Sequence, residues 1–283
     1  MQSKVHLQLK NKTVKDLYWL IFSDSPLSET YDIAPYALFP KSILKEWREN
    51  SRDYFLALDE NHQDIERFLN RKKNNRLGFY AEALLSYFFQ TYNQVELLLQ
   101  NFQIIEENRT IGEIDFVIRY NQKVIHLECA VKYYMLKNLD SKNNASQWVG
   151  PRLRDNLELK LNKIVQHQLK LGTRKEVLNK INVPIDNSYL FLKGIFFSEE
   201  PLGSESINRN EPNQFIRQSN LKTTKAKPIK ILKKPNWLSS TQKSDIKKDN
   251  DFIPFDEQLS SPEMVLFDDG NVRFIVADDW GNE

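Results

Sequence analysis

The stretch that decides the fold is Gly112-Glu113-Ile114-Asp115-Phe116-Val117-Ile118-Arg119-Tyr120, then Asn121-Gln122, then Lys123-Val124-Ile125-His126-Leu127-Glu128-Cys129-Ala130-Val131-Lys132-Tyr133-Tyr134. Two runs alternate apolar and polar residues and are separated by only two residues, the spacing of a tight β-hairpin. Alternate side chains on a strand share a face. Glu113 and Asp115 therefore point one way, and Ile114, Phe116 and Ile118 the other. On the second strand His126, Glu128, Ala130 and Lys132 share a face, with Leu127, Cys129 and Val131 opposite. Two carboxylates meeting on a sheet that should be buried are costly unless paired or bound to a metal. Mg²⁺ takes oxygen ligands and is held by one or two carboxylates plus substrate phosphate, which is the chemistry of metal-assisted phosphodiester hydrolysis. On spacing alone a plainer reading stands beside this one. Asp115 can cap a turn, and Glu128 and Lys132 can form a surface ion pair worth about 0–1 kcal/mol.

Outward from the hairpin, Arg76–Thr91 has Leu77, Tyr80, Ala81, Leu84, Leu85 and Phe88 at helical steps, with Glu82 its one carboxylate. Val95–Leu99 and Phe102–Glu107 read as strands. A helix is expected over about 153–171, started by Pro151 and stopped by Gly172. Tyr189–Phe197 reads as a strand. The order helix, three strands, helix, strand gives an α/β core over 73–198. Residues 1–72 read as an N-terminal helical cap, with helices near 14–22, 41–50 and 53–71 and a solvated boundary at 71–75. Residues 199–283 read as a mixed C-terminal extension with a basic segment at 222–234, an exposed loop at 239–251 and a terminal hairpin at 264–276 turning on Asp-Gly.

Composition removes several classes. The 283 residues carry 40 Lys+Arg and 38 Asp+Glu, a net charge of +2, so this is not a uniformly basic coating protein. The balance is a cancellation: residues 201–250 hold eleven basic and four acidic side chains, residues 251–283 one basic and nine acidic. The basic stretch is therefore expected either to track a phosphate backbone or to be covered by the acidic end. A single cysteine, Cys129, leaves no disulfide framework. No apolar run reaches the roughly 18 residues of a membrane span, and the N-terminus lacks the apolar core of a secretory signal. No membrane partner and a cytoplasmic location are expected.

The run Gly112-Glu113-Ile114-Asp115, then Glu128 and Lys132, preceded by Gly78-Phe79-Tyr80-Ala81-Glu82, resembles the PD-(D/E)XK superfamily of restriction-endonuclease-like nucleases. More closely, the chain resembles a bacterial family known as domain of unknown function 1853. This likeness lies in Lys15–Leu20, Arg76–Glu82, His126–Tyr134, Val149-Gly150-Pro151, Asp155, Lys160 through Leu169, and Lys193-Gly194. The resemblance implies a restriction-endonuclease-like αβββαβ core. It implies Asp115 and Glu128 as ligands of Mg²⁺ or Mn²⁺, Glu82 as the acidic residue of the helix, Lys132 as the catalytic lysine, and DNA or RNA as substrate. Two positions depart from the pattern. Ile114 replaces a proline, and Ala130 stands where the motif has lysine, putting Lys132 one pleat further, about 6.6 Å along the strand. Arg76, His126, Lys160, His167 and Gln168 are candidate substrate contacts. The expected activity is a metal-dependent nuclease; the alternative is an inactive nucleic-acid-binding or protein-interaction module that keeps the nuclease fold.

Overall fold

The hairpin forms where the alternation places it. In the computed structural model, which describes residues 4–71, 76–202, 207, 213–239 and 259–282, β3 (Arg109–Tyr120) and β4 (Lys123–Leu136) pair antiparallel from Tyr120↔Lys123 to Phe116↔Leu127. Asn121 and Gln122 both take positive φ, 46° and 63°, the backbone of the primed turns that match the right-handed twist of paired strands. The remaining elements, in chain order, are α1 (Lys12–Phe22), β1 (Ala37–Leu38), α2 (Lys41–Asn50), α3 (Arg52–Glu60), α4 (Gln63–Arg71), α5 (Leu77–Thr91) and β2 (Glu96–Glu106). After β4 come β5 (Trp148–Val149), α6 (Leu157–Gln166), a 3-10 turn (Gln168–Thr173), α7 (Lys175–Ile181), β6 (Asn187–Ser198), β7 (Asn213–Arg217), β8 (Pro228–Ile231), β9 (Glu263–Phe267) and β10 (Val272–Val276). The protein is thus a mixed α/β chain with seven α-helices among the described residues.

The chain packs into two units. The first comprises residues 1–25, 29–131 and 161–193, the second 26–28, 132–160 and 194–283. In the first, β3 lies between β2 and β4, β6 follows β4, and β1 runs parallel to β6. One face of this sheet is aromatic. Phe116 meets Phe89 of α5 at 5.2 Å between ring centroids, and Tyr120 meets Trp47 of α2 at 5.5 Å. Val117 points to the other face, where it packs with Ile104, Val124, Leu171 and Val177. α1 begins where the Asn11 side chain accepts from the Thr13 and Val14 amides at 2.9 and 3.2 Å.

In the second unit β7 pairs parallel to the end of β6 and to β10, β9 pairs antiparallel with β10, and β8 with β9. The terminal hairpin expected at 264–276 is present as β9 and β10. β8, from the basic segment, lies beside β9, from the acidic end.

Three expectations are corrected. The two short strands at 95–107 are one strand, β2, because Asn101 takes φ 48° and shifts near Leu97/Leu99 and Ile104/Ile105 keep the ladder in step. The helix expected over about 153–171 is α6 alone, 157–166. Before it, Gly150 N–H bonds the Asp155 carbonyl and Leu153 sits at φ 58°; after it, His167 leaves helical geometry at φ −130°. The helix at 53–71 is two, α3 and α4, parted at Asn61. Residues 72–75 and 240–258, read as a linker and as part of an exposed loop and the chain beyond it, lie outside the described residues.

Candidate functional site

Asp115 and Glu128 are the next residues in line after the last pair of the β3–β4 ladder, Phe116↔Leu127. There the Asp115 side chain takes over from the backbone: its Oδ2 accepts the Cys129 N–H at 2.8 Å. Glu128 is 1% exposed, a buried carboxylate that needs donors. It has them. His126 Nε2 lies 3.0 Å from Glu128 Oε1, and Gln168 Nε2 donates to Oε2 at 2.6 Å. His126 Nδ1 lies 3.1 Å from the Ser188 hydroxyl.

His126 is fully buried, and that burial pushes its imidazole down to about 4, against the opposing pull of the Asp115 charge. It is therefore neutral at pH 7. Where Glu128 Oε1 accepts, Nε2 carries the hydrogen and Nδ1 accepts from the Ser188 hydroxyl. Polar side chains from β4, the 3-10 turn and β6 thus converge on one carboxylate.

The other expected residues fall as follows. Glu82, on α5, accepts from the Asn101 side chain of β2. Lys132 belongs to the second unit, where its ammonium pairs with Asp155 at 2.5 Å and lies 5.5 Å from the Tyr134 ring centre. Arg76 is the exposed residue preceding α5, and Lys160 lies on α6. His167 is exposed and packs beside Gly112, where an added Cβ would lie 3.2 Å from its Cε1. Gln168 stands in an apolar line of the sequence, and its partner is Glu128.

Two contributors escaped the sequence reading. Ser188, one serine among many, has no local signal. Gly172 reads as a helix stop, yet its backbone lies against the site: an added Cβ would be 2.8 Å from His126 Nδ1 and 3.0 Å from Ser188 Oγ.

The order Ser188–His126–Glu128 has the connectivity of a nucleophile, base and acid. In this chain the Gly172 backbone lies against the Ser188–His126 contact. The donor chemistry suits a hard cation. Two carboxylates on neighbouring strands are donors of the kind a hard divalent cation takes. Among the described residues no group of three or more His, Cys, Asp or Glu side chains forms a closed metal cage.

These features define a mixed α/β protein with a supported carboxylate pair at the open end of a β-hairpin. The model of the family described as Domain of unknown function (DUF1853) matches residues 15–263, and the chain belongs to that family. No curated protein and no solved structure matches the chain. Among the described residues no helix is long and apolar enough to cross a membrane.

Proposed function

We propose that this protein is a divalent-metal-dependent nuclease of the PD-(D/E)XK type, acting in the cytoplasm on phosphodiester bonds of DNA or RNA. The observation that carries the reading is the placement of Asp115 and a buried Glu128 on adjacent strands just past the last Phe116↔Leu127 pair, with Asp115 bonded to the Cys129 N–H and Glu128 held by His126 and Gln168. The chain order α5, β2, β3, β4, α6, β6 supports a restriction-endonuclease-like core.

In this reading Asp115 and Glu128 hold Mg²⁺ or Mn²⁺, which supplies an activated water and offsets charge developing on the phosphate. Gln168 and His126 fix the rotamer of Glu128. Ser188 fixes the His126 tautomer, and the Gly172 backbone lies against that contact. Such outer support is what holds a metal ligand in one geometry.

The test is cleavage of single- and double-stranded DNA and RNA by purified protein with Mg²⁺ or Mn²⁺, beside Asp115→Asn and Glu128→Gln. Metal-dependent cleavage that both substitutions abolish supports the proposal. Nucleic-acid binding without any cleavage would establish the inactive binding module instead.

A further inference from the structure

In the second unit, the segment Gly150-Pro151-Arg152-Leu153-Arg154-Asp155-Asn156 is tied at many points. Gly150 N–H donates to the Asp155 carbonyl at 2.8 Å, Leu153 N–H to the Gly150 carbonyl at 2.8 Å, and the Trp280 indole to the Pro151 carbonyl at 3.0 Å. Val149 and Asn156 bridge its base. A Cβ on Gly150 would stand 2.3 Å from Asp155 Oδ1, so any larger residue there displaces the Asp155 carboxylate. At its tip Leu153 adopts φ 58° and is 37% exposed, between exposed Arg152 and Arg154. A left-handed, non-glycine, outward-facing apolar residue held by this much bonding is a strained feature of the kind found at binding sites.

Beside it lies a second cationic element. The Lys234 ammonium is 4.4 Å from the centre of the Trp237 ring. That ring is fixed by its N–H to the Leu232 carbonyl at 2.6 Å and by Tyr133 at 5.2 Å. Partial burial holds Lys234 below the usual lysine value; the charges of Arg152 and Lys132 push the same way, and Asp155 opposes them. The three cations are therefore electrostatic neighbours. Burial raises Glu263, which Lys233 and Arg152 pull back.

The nearby carboxylates cancel only part of this charge. Asp155 is bonded to Lys132 and the Tyr134 hydroxyl. Of the acidic end, Asp269 pairs with Arg273, Asp268 takes the Lys227 backbone N–H, and Asp278 takes the Ser219 backbone N–H. Among the described residues no carboxylate pairs with Arg152, Lys233 or Lys234. The acidic end lies beside the basic segment through the β8–β9 ladder, and of its carboxylates Glu263 is the electrostatic neighbour of Lys233 and Arg152.

We propose that Arg152 and Lys234, with Lys233 beside them, form a phosphate-binding platform that holds the backbone of a nucleic-acid strand, with Leu153 packing against its sugars or bases. Arginine supplies the planar fork and the lysines the point charges that such backbones require. The proposal takes its ligand from the nuclease reading and adds where that ligand is held.

The experiment measures binding without chemistry. Labelled 20-nucleotide DNA and RNA, single-stranded and duplex, are titrated by fluorescence anisotropy in EDTA over a range of salt, with wild type, Arg152→Ala, Lys234→Ala, the double variant, and Lys225→Ala as a surface control. Each platform substitution should weaken binding about fivefold and lower the salt slope by about one, with the double variant additive and the control unchanged. Equal binding by all variants overturns the platform while leaving the nuclease reading intact. Platform-dependent binding without metal-dependent cleavage upholds the platform and removes the nuclease. Retention of polyglutamate rather than nucleic acid, lost in the double variant, overturns the nucleic-acid ligand in favour of an acidic protein. Circular dichroism checks the fold, which these exposed side chains should not disturb.

Discussion

Replacing Glu128 by glutamine and by alanine should separate hydrogen bonding from charge at the candidate site. In the wild type both carboxylate oxygens accept, from His126 Nε2 at 3.0 Å and Gln168 Nε2 at 2.6 Å. Glutamine has one acceptor and one donor end. Its oxygen can keep the Gln168 bond. Its NH₂ then faces His126 Nε2, which must switch from donor to acceptor. The imidazole can do so by moving its hydrogen to Nδ1, where the Ser188 hydroxyl, 3.1 Å away, turns round to accept. Every group stays satisfied, and a desolvated charge is removed.

Glu128→Gln should therefore keep stability within about 1 kcal/mol of wild type. Alanine cannot replace either bond. It leaves Gln168 and His126 without their acceptor in a site that is 1% exposed at Glu128, and should cost about 3–5 kcal/mol. Urea unfolding reads the difference: with a slope of about 3 kcal/mol per molar, the alanine midpoint falls by about 1–1.7 M and the glutamine midpoint hardly moves. Nitrogen-15 shifts of His126 should report Nε2–H in wild type and Nδ1–H in the glutamine variant. If glutamine is as destabilising as alanine, or the tautomer does not change, the hydrogen-bond chain drawn above is wrong.

Three further outcomes follow from the same packing. His126 has a folded pKa of about 4, below its ordinary 6.5, so between those values the unfolded chain binds more protons; stability should fall as pH drops through that window, by about 3 kcal/mol in full, and the His126 ring resonance should not titrate above pH 5. Gly172→Ala should cost about 1–3 kcal/mol and part His126 from Ser188, seen as a lowered urea midpoint and shifted His126 signals, because its Cβ would press on both at 3.0 Å or less. Lys193 is buried, donates to the Ile21 and Ser23 carbonyls at the end of α1, and is pushed by desolvation to about 7; stability should rise from pH 7.5 to 9.5 by about 2–3 kcal/mol, and Lys193→Met should abolish that rise in urea midpoints.

The hairpin was legible because its signal is local. Alternation fixes which residues share a face, and two polar residues between Tyr120 and Lys123 leave room only for a tight turn. The positive φ of Asn121 and Gln122 follows from strand twist, although neither residue is glycine. The candidate site was legible only as far as Asp115 and Glu128, which lie 13 residues apart on adjoining strands. Gln168 gave half a signal: a polar side chain in an apolar line needs a partner, but nothing in the sequence says which. Its partner lies 40 residues back, reached from a 3-10 turn rather than from the helix expected there.

Gly150, Pro151 and Gly172 show why the rest was hidden. Each carries a local signal that is read correctly as local and wrongly as final. Pro151 and Gly172 look like the start and stop of one helix. In the structure Pro151 lies in a loop locked by Gly150 and Asp155, and Gly172 is small because His126 and Ser188 lie against it. In both places glycine meets a close approach from residues distant in space or in another element, and single-sequence periodicity carries no such information. The same physics joins the two proposals. In each unit a glycine-tight segment sets the backbone beside polar or charged side chains, a buried carboxylate and imidazole in one and exposed arginines in the other. These are positions where local propensity is overruled, and such conflicts concentrate where a protein binds or reacts.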